Sequence, residues 1–436
     1  MRAAVGPLCD RFGPRLVYVY LLLAGAIPTA MAGLVTSARG VMAIRFFVGI
    51  LGGTFVPCQV WSMQFYDKNI VGTANGLMAG IGNAGGGITY FVMPAVFDSL
   101  VHNMGLTPHV AWRVSFIVPF ILITATALGM LFLCEDTPTG RWADRHNIVA
   151  ETNAGGGGVV VDLPNSGKMG FASSPTSNSS DSDCIPEKES HPDQKIEVSD
   201  GAMIEISDGA MIEADQIGQV EIARAEIVQP PTFSEGLSVF FSLQCLMLAL
   251  PYACSFGGEL AINSILGAYY IQNFKLDQTQ SGKWAAMFGL LNVFFRPAGG
   301  MISDFIYGRT NHSVSAKKFW LVFLGTSQGV MCLAIGLLDS HSKKTMVGLV
   351  AGLAFFMDAS NGANFAVVPH VFPFANGILS GFVGASGNMG GIIFALLFRF
   401  KQNYGHVIWW IGCVCIAVNI GVSWIRVIPK GQIGGR

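Results

Sequence analysis

Arg296-Pro-Ala-Gly-Gly-Met-Ile-Ser-Asp304, running on to Arg309, closes a long apolar segment that it enters with an arginine. The opening of the chain repeats it as Arg2-Ala-Ala-Val-Gly-Pro-Leu-Cys-Asp10, running on to Arg15. The arginine, an alanine, a glycine, the aspartate and the final arginine recur 294 residues apart. An internal repeat of this kind divides the chain into two halves. Each aspartate marks the point where the chain turns polar, and each arginine lies eight residues before it. At about 1.5 Å per helical residue the arginine sits ~12 Å up the helix, and half of a hydrocarbon core is about 15 Å. The spacing therefore predicts two guanidiniums at matching depth near the bilayer midplane, one from each half. Charge at that depth marks a substrate or ion pathway.

The rest of the composition agrees with a membrane setting. Of the 436 residues 51% are hydrophobic and 12% charged, and the mean hydropathy is +0.50, too apolar for a soluble chain of this size. Apolar spans fall at about 16–37, 41–62, 72–97, 112–134, 244–272, 282–302, 318–338, 346–367, 375–398 and 406–426. Each has the ~20 residues that a spanning helix needs. The expected class is an all-α membrane protein of two pseudo-symmetric helical halves, with ten full spans plus a partial one at residues 1–9. The halves are 1–134 and 236–429, followed by a tail at 430–436. Between them, 135–235 is rich in Gly, Ser, Asp and Glu and predicts a disordered loop. It carries a tandem copy, Ser199–Glu205 and Ser207–Glu213, read as slippage in a tolerant linker. Residues 151–235 hold 16 acids and 4 bases, leaving 11 acids and 22 bases elsewhere, so the membrane part is basic. That balance suits cytosolic loops and an anionic cargo. Arg11, Arg15, Arg309, Lys317, Lys318, Arg426, Lys430 and Arg436 group on the side expected to be cytosolic. Nine cysteines and eight histidines show no ligand spacing, so neither a metal site nor a cofactor is expected. No nucleophile–base pair points to an enzyme, and nothing points to nucleic acid.

Gly6-Pro-Leu-Cys-Asp10-Arg11-Phe-Gly13-Pro-Arg15 resembles the loop motif of the major facilitator superfamily, which joins the second and third of twelve helices. The resemblance implies that this chain begins inside the second helix, without the first. It implies a gate motif of Gly6, Asp10, Arg11, Gly13 and Arg15, matched by Asp304 and Arg309. Two further stretches, Ala74-Asn-Gly-Leu-Met-Ala-Gly80-Ile-Gly82-Asn83-Ala-Gly85-Gly86-Gly87 and Ala375-Asn-Gly-Ile-Leu-Ser-Gly-Phe-Val-Gly384-Ala-Ser-Gly387-Asn388-Met-Gly390-Gly391, resemble the paired Gly/Asn motifs of the nitrate/nitrite porter family. The long insert resembles that of fungal high-affinity nitrate transporters.

From the residues alone, Gly82, Gly85, Gly86, Gly387, Gly390 and Gly391, with Gly76 and Gly80, are expected to let helix backbones approach closely. Asn83 and Asn388 are expected to turn amide donors toward the central axis. Tyr252 and Phe256 are i, i+4 on one helix face, and Glu259 follows at i+3. Gly52-Gly53-Thr54-Phe55 looks like the aromatic patch that faces the substrate in the family, and Tyr252 matches its aromatic hydrogen-bonding residue. The expected binding set is Arg2, Arg296, Asn83, Asn388, Tyr252, Phe55 and Phe256. Nitrate is planar and monovalent, and two planar guanidinium forks suit it. One monovalent anion leaves two arginines with a residual positive charge.

The resemblance implies a plasma-membrane carrier that takes up nitrate with protons by alternating access. Nitrite transport, nitrate/nitrite exchange, or a transport-inactive binding or sensing protein are the alternatives. Glu259 and Asp358 are the coupling candidates, because a carboxylate in low dielectric can take and release a proton near neutral pH. The competing reading of Glu259 is a permanent ion pair with Arg296. Asp358 stands close to a stretch read as irregular.

Overall fold

The computed structural model describes residues 1–138, 140–142, 203–205, 211–213, 233–401 and 403–429. The tail and most of the insert, with the expected disorder, lie outside these residues. Inside the insert the two tandem copies supply β1 (Met203–Glu205) and β2 (Met211–Glu213), which pair antiparallel with Ile204 opposite Ile212.

The helices of the first half are α1 (Arg2–Phe12), α2 (Pro14–Met31), α3 (Ala38–Val48), α4 (Phe55–Phe65), α5 (Val71–His102), α6 (Pro108–Ser115) and α7 (Ile117–Leu133). Those of the second are α8 (Phe233–Phe240), α9 (Leu243–Phe274), α10 (Gln278–Leu290), α11 (Asn292–Arg309), α12 (Val314–Leu338), α13 (Lys343–Val371), α14 (Asn376–Phe400) and α15 (Tyr404–Val422). Ten spans among the described residues are long and apolar enough to cross a membrane, and they coincide with the ten expected. Three join two α-helices: α3 and α4 through a 3-10 stretch, Gly49–Thr54, α6 and α7 at Phe116, and α10 and α11 at Leu291.

Helix ends follow local chemistry. Ser242, Asp277 and Asn403 cap α9, α10 and α15 by accepting backbone N–H bonds from Cys245, Gln280 and His406 at 3.1–3.3 Å, satisfying donors that the first turn cannot pair internally. Between α1 and α2 the chain reverses at Gly13, whose φ of 88° suits glycine, and Pro14 starts α2 without an N–H to orphan.

Residues Met1–Arg145 and Val228–Arg436 form one compact unit, so both helical halves belong to it. Their partnering is crossed. α1 of the first half lies against α14 of the second, and α11 of the second lies against α5 of the first. Burial is uneven. In α9 78% of the most apolar window is covered by the rest of the chain, against 6% in Pro108–Leu133. The two large clusters of buried apolar side chains are built chiefly from second-half residues, and the first half holds a small one around Val5, Cys9, Val17, Val56 and Val60.

Candidate functional site

α1 and α11 bring Arg2 and Arg296 to one place. The Arg2 guanidinium carbon lies 4.5 Å from the Phe55 ring centre and 5.1 Å from that of Phe256. The Arg296 carbon lies 5.6 and 5.8 Å from the same two rings. Two cations thus share two aromatic rings, each within the roughly 6 Å reach of cation–π attraction. Arg2 donates Nε to the Gly52 carbonyl at 2.9 Å and Nη1 to the Gly384 carbonyl at 3.1 Å. Arg296 donates Nη2 to the Tyr252 hydroxyl at 3.1 Å. Its Nε and Nη1 are buried without a hydrogen-bond partner, and the residue is 0% exposed. Among the described residues neither arginine forms an ion pair. Taking a charge out of water costs several kcal/mol, so two converging guanidiniums with spare donors favour an anion between them.

The aromatic walls are ordered. Tyr252 and Phe256 stack at 5.2 Å with an interplanar angle of 7°, and Phe55 stacks on Tyr252 at 6.5 Å and 25°. Phe365 meets both Phe55 and Tyr252 edge-on at 5.0 and 5.1 Å. Phe365 went unnoticed in the sequence because it lies nine residues past Phe356 on α13, with no aromatic partner at i±3 or i±4.

Backbone contact sets the depth of both arginines. A Cβ on Gly76 would come 2.9 Å from the Arg296 carbonyl oxygen, and one on Gly362 would overlap the same atom. At the other arginine, a Cβ on Gly381 would come 2.8 Å from the Arg2 carbonyl oxygen. The glycines of α5, α13 and α14 are therefore the seats in which the two arginine-bearing turns rest.

One turn before Arg296 on α11 lies a second polar layer. Glu259 of α9 accepts from Asn292 Nδ2 at 2.8 Å and from Asn361 Nδ2 at 2.7 Å. Asn361 in turn accepts from Ser255 Oγ at 2.7 Å. The ion pair weighed for Glu259 and Arg296 is not formed. Asp358 is 0% exposed, and neither of its oxygens has a hydrogen-bond partner. The stretch after it is not irregular, since α13 runs helically through Val371. Asn292 and Asn361 were also missed, because isolated asparagines in apolar spans give no signal until their partner is known.

On the Asp10/Asp304 side the repeat does something the sequence did not reveal. Asp10 accepts from the backbone N–H groups of Gly377 and Ile378 at 3.0 and 3.1 Å, at the start of α14. Asp304 accepts from Gly72 N, Thr73 N and Thr73 Oγ1 at 3.2, 2.6 and 2.8 Å, at the start of α5. Each aspartate of one half thus caps a helix of the other, where the helix dipole favours an anion. Asp304 also pairs with Lys317 Nζ at 3.0 Å, which contacts His370 Nε2 at 3.1 Å. Lys317 and Lys318, counted in the sequence among loop charges, are buried instead. Lys318 donates to the Ser423 and Ile425 carbonyls at 2.7 and 3.1 Å. A four-carbon stem lets each reach an acceptor inside the fold. Arg15 pairs with Asp136 at 2.8 Å, Gly13 faces the Trp142 ring, and Gly6 meets the Gly377 carbonyl. Arg11 and Arg309 are exposed and lie over Phe12 and Phe305.

The Gly/Asn motifs divide. Gly76 and Gly80 press on the backbone of α11, and Gly390 on that of Ala253. Gly387 faces the Tyr252 and Phe256 rings, and Gly391 faces Leu260. Gly82, Gly85 and Gly86 have nothing within 4 Å of a Cβ position. At 100° per residue they fall on the side of α5 turned away from α11. Asn83 and Asn388 are half-buried, Asn83 Nδ2 is buried without a partner, and among the described residues neither is hydrogen-bonded to the arginine cluster.

Two crossed helical halves around a buried cationic cluster define a membrane carrier rather than an enzyme. Residues 1–395 match the Major Facilitator Superfamily, and the chain belongs to that family. It is 35% identical over 428 residues to elsinochrome transporter 1 of Elsinoe fawcettii, covering 97% of this chain and 81% of that one. It is 31% identical to high affinity nitrate transporter 2.5 of Arabidopsis thaliana, covering 92% of this chain and 64% of the relative. In structure it resembles the Escherichia coli fucose:proton symporter, with a TM-score of 0.58 at 11% identity over 97% of this chain and 86% of that one. At that identity the likeness speaks for the fold alone.

Proposed function

We propose that this chain takes up nitrate across the plasma membrane, coupled to protons, by alternating access between its two halves. The observation that carries the reading is Arg296. It is fully buried, it has two unused donors, and it shares two aromatic rings with Arg2. A planar monovalent oxoanion can accept from both guanidinium forks while its faces meet flat aromatic rings. The named substrate of the Arabidopsis relative supports nitrate over other anions. Asp10 and Asp304 close the side proposed to be cytosolic. Opening there requires both aspartates to leave the helix ends of the opposite half. The coupling acid is sought in the Glu259–Asp358 layer.

Arg296→Lys tests the site. Lysine keeps the charge but loses the planar fork. Nitrate affinity should fall about 10–100-fold, matching the ~1.5–3 kcal/mol of a charge-assisted hydrogen bond, while the protein still reaches the membrane. Half-saturation by nitrate equal to that of the unmodified protein would remove Arg296 from the site.

A further inference from the structure

We propose that Asp358, and not Glu259, carries the transported proton, and that Glu259 is a fixed negative counter-charge. The inference rests on the proposed nitrate transport and deepens it. Both acids are buried, but their surroundings differ in kind. Each Glu259 oxygen accepts an amide N–H, from Asn292 and from Asn361. Two such donors favour the ionised form of Glu259 relative to a carboxylate that has none. Asn361 is itself oriented by Ser255, so its amide nitrogen, not its oxygen, faces Glu259. Asp358 lies on α13, one turn before Asn361, with both oxygens buried and no donor among the described residues. With no donor to either oxygen, the neutral acid is the favoured form of Asp358 in this arrangement, and its anion is the costly one.

The charges that act on Asp358 are Glu259 on α9 and Arg296 on α11. The other helices packed on α13 bring charged or basic side chains only toward the ends of their spans: Asp98 and His102 on α5, Lys283 on α10, Lys317 and Lys318 on α12, and Arg399 on α14; α12 also carries the buried thiol Cys332. On α13 itself, Lys343, Lys344 and His370 lie at least three turns from Asp358.

Charge balance then links the two cargoes. With Arg2, Arg296 and Glu259 ionised and Asp358 neutral, the site carries one positive charge, which one nitrate cancels. If Asp358 releases its proton, the site is balanced without an anion, and nitrate would leave it negative. Nitrate and the proton therefore favour each other's binding, and the coupling is reciprocal. The residual positive charge expected from two arginines is removed by Glu259. On release, the proton passes from Asp358 Oδ to water as the anion leaves.

The test is nitrate binding by the purified full chain in detergent, measured from acid to alkaline pH. For the unmodified protein, affinity should weaken toward tenfold per pH unit once Asp358 ionises, and calorimetry in buffers of different ionisation heat should show about one proton taken up per nitrate. Asp358→Asn mimics the neutral acid. It should bind nitrate at alkaline pH as tightly as the unmodified protein does at acid pH, with no proton uptake. Nitrate binding without proton uptake at every pH, alkaline included, in the unmodified protein would overturn the proposal even if Asp358→Asn did not fold. So would an Asp358→Asn protein that keeps the pH dependence, or loss of proton uptake in Glu259→Gln while Asp358→Asn retains it. Failure of the unmodified protein to bind nitrate at any pH would instead reject the nitrate reading.

Discussion

The Tyr252 hydroxyl accepts from Arg296 while its ring stacks on Phe256. One residue thus joins the cationic and aromatic parts of the site. Tyr252→Phe keeps the ring and removes the acceptor. Nitrate binding should weaken about tenfold, the ~1–1.5 kcal/mol of one hydrogen bond, while the melting temperature in detergent changes little. Binding titrations beside thermal melts separate the two effects. At this scale the arginines and the Tyr252–Phe256 pair were legible, because an eight-residue offset and an i, i+4 spacing are one-dimensional facts. Asn83 and Asn388 are half-buried and make no hydrogen bond to the arginine cluster among the described residues. A matched motif reports likeness between halves but not which way a helix is rotated, and the asparagines that hold Glu259 prove to be Asn292 and Asn361.

Among the elements, α11 is pressed on two sides. A Cβ on Gly300 would overlap the Gly72 carbonyl of α5, and one on Gly299 would overlap Ala359 of α13. Gly300→Ala should therefore destabilise by about 1–3 kcal/mol, the usual cost of overpacking. Gly86→Ala meets nothing and should be neutral or stabilise by up to ~1 kcal/mol through helix propensity. Melting temperatures of the two variants in one detergent make the comparison. Both glycines sit in glycine-rich motifs, and composition cannot tell a packed glycine from an open one. Only the neighbouring helix makes the distinction.

Across the whole molecule, the spans were readable because hydropathy is a local sum. The crossed partnering was not, since it depends on which faces meet across hundreds of residues. Asp304 shows what that partnering holds. It accepts from the start of α5 and pairs with buried Lys317. Asp304→Asn leaves Lys317 charged and unpaired inside the fold, a loss of about 3–5 kcal/mol. Adding Lys317→Met removes the stranded charge and should recover most of that loss. A double-mutant cycle on thermal or denaturant stability measures the recovery, and two independent losses would show that the pair is not coupled.

Arg2 donates to the Gly384 carbonyl, 382 residues further along the chain. A ribosome adding roughly 5–20 residues per second needs about 20–75 s to make that partner. For most of this interval the arginine is outside the exit tunnel while its seat does not yet exist. Until α14 emerges, the guanidinium must be solvated by water or lipid headgroups, so α1 cannot settle at its final depth as it is made. α1 is therefore seated only after α14 has been made, and the anion site is completed no earlier than that.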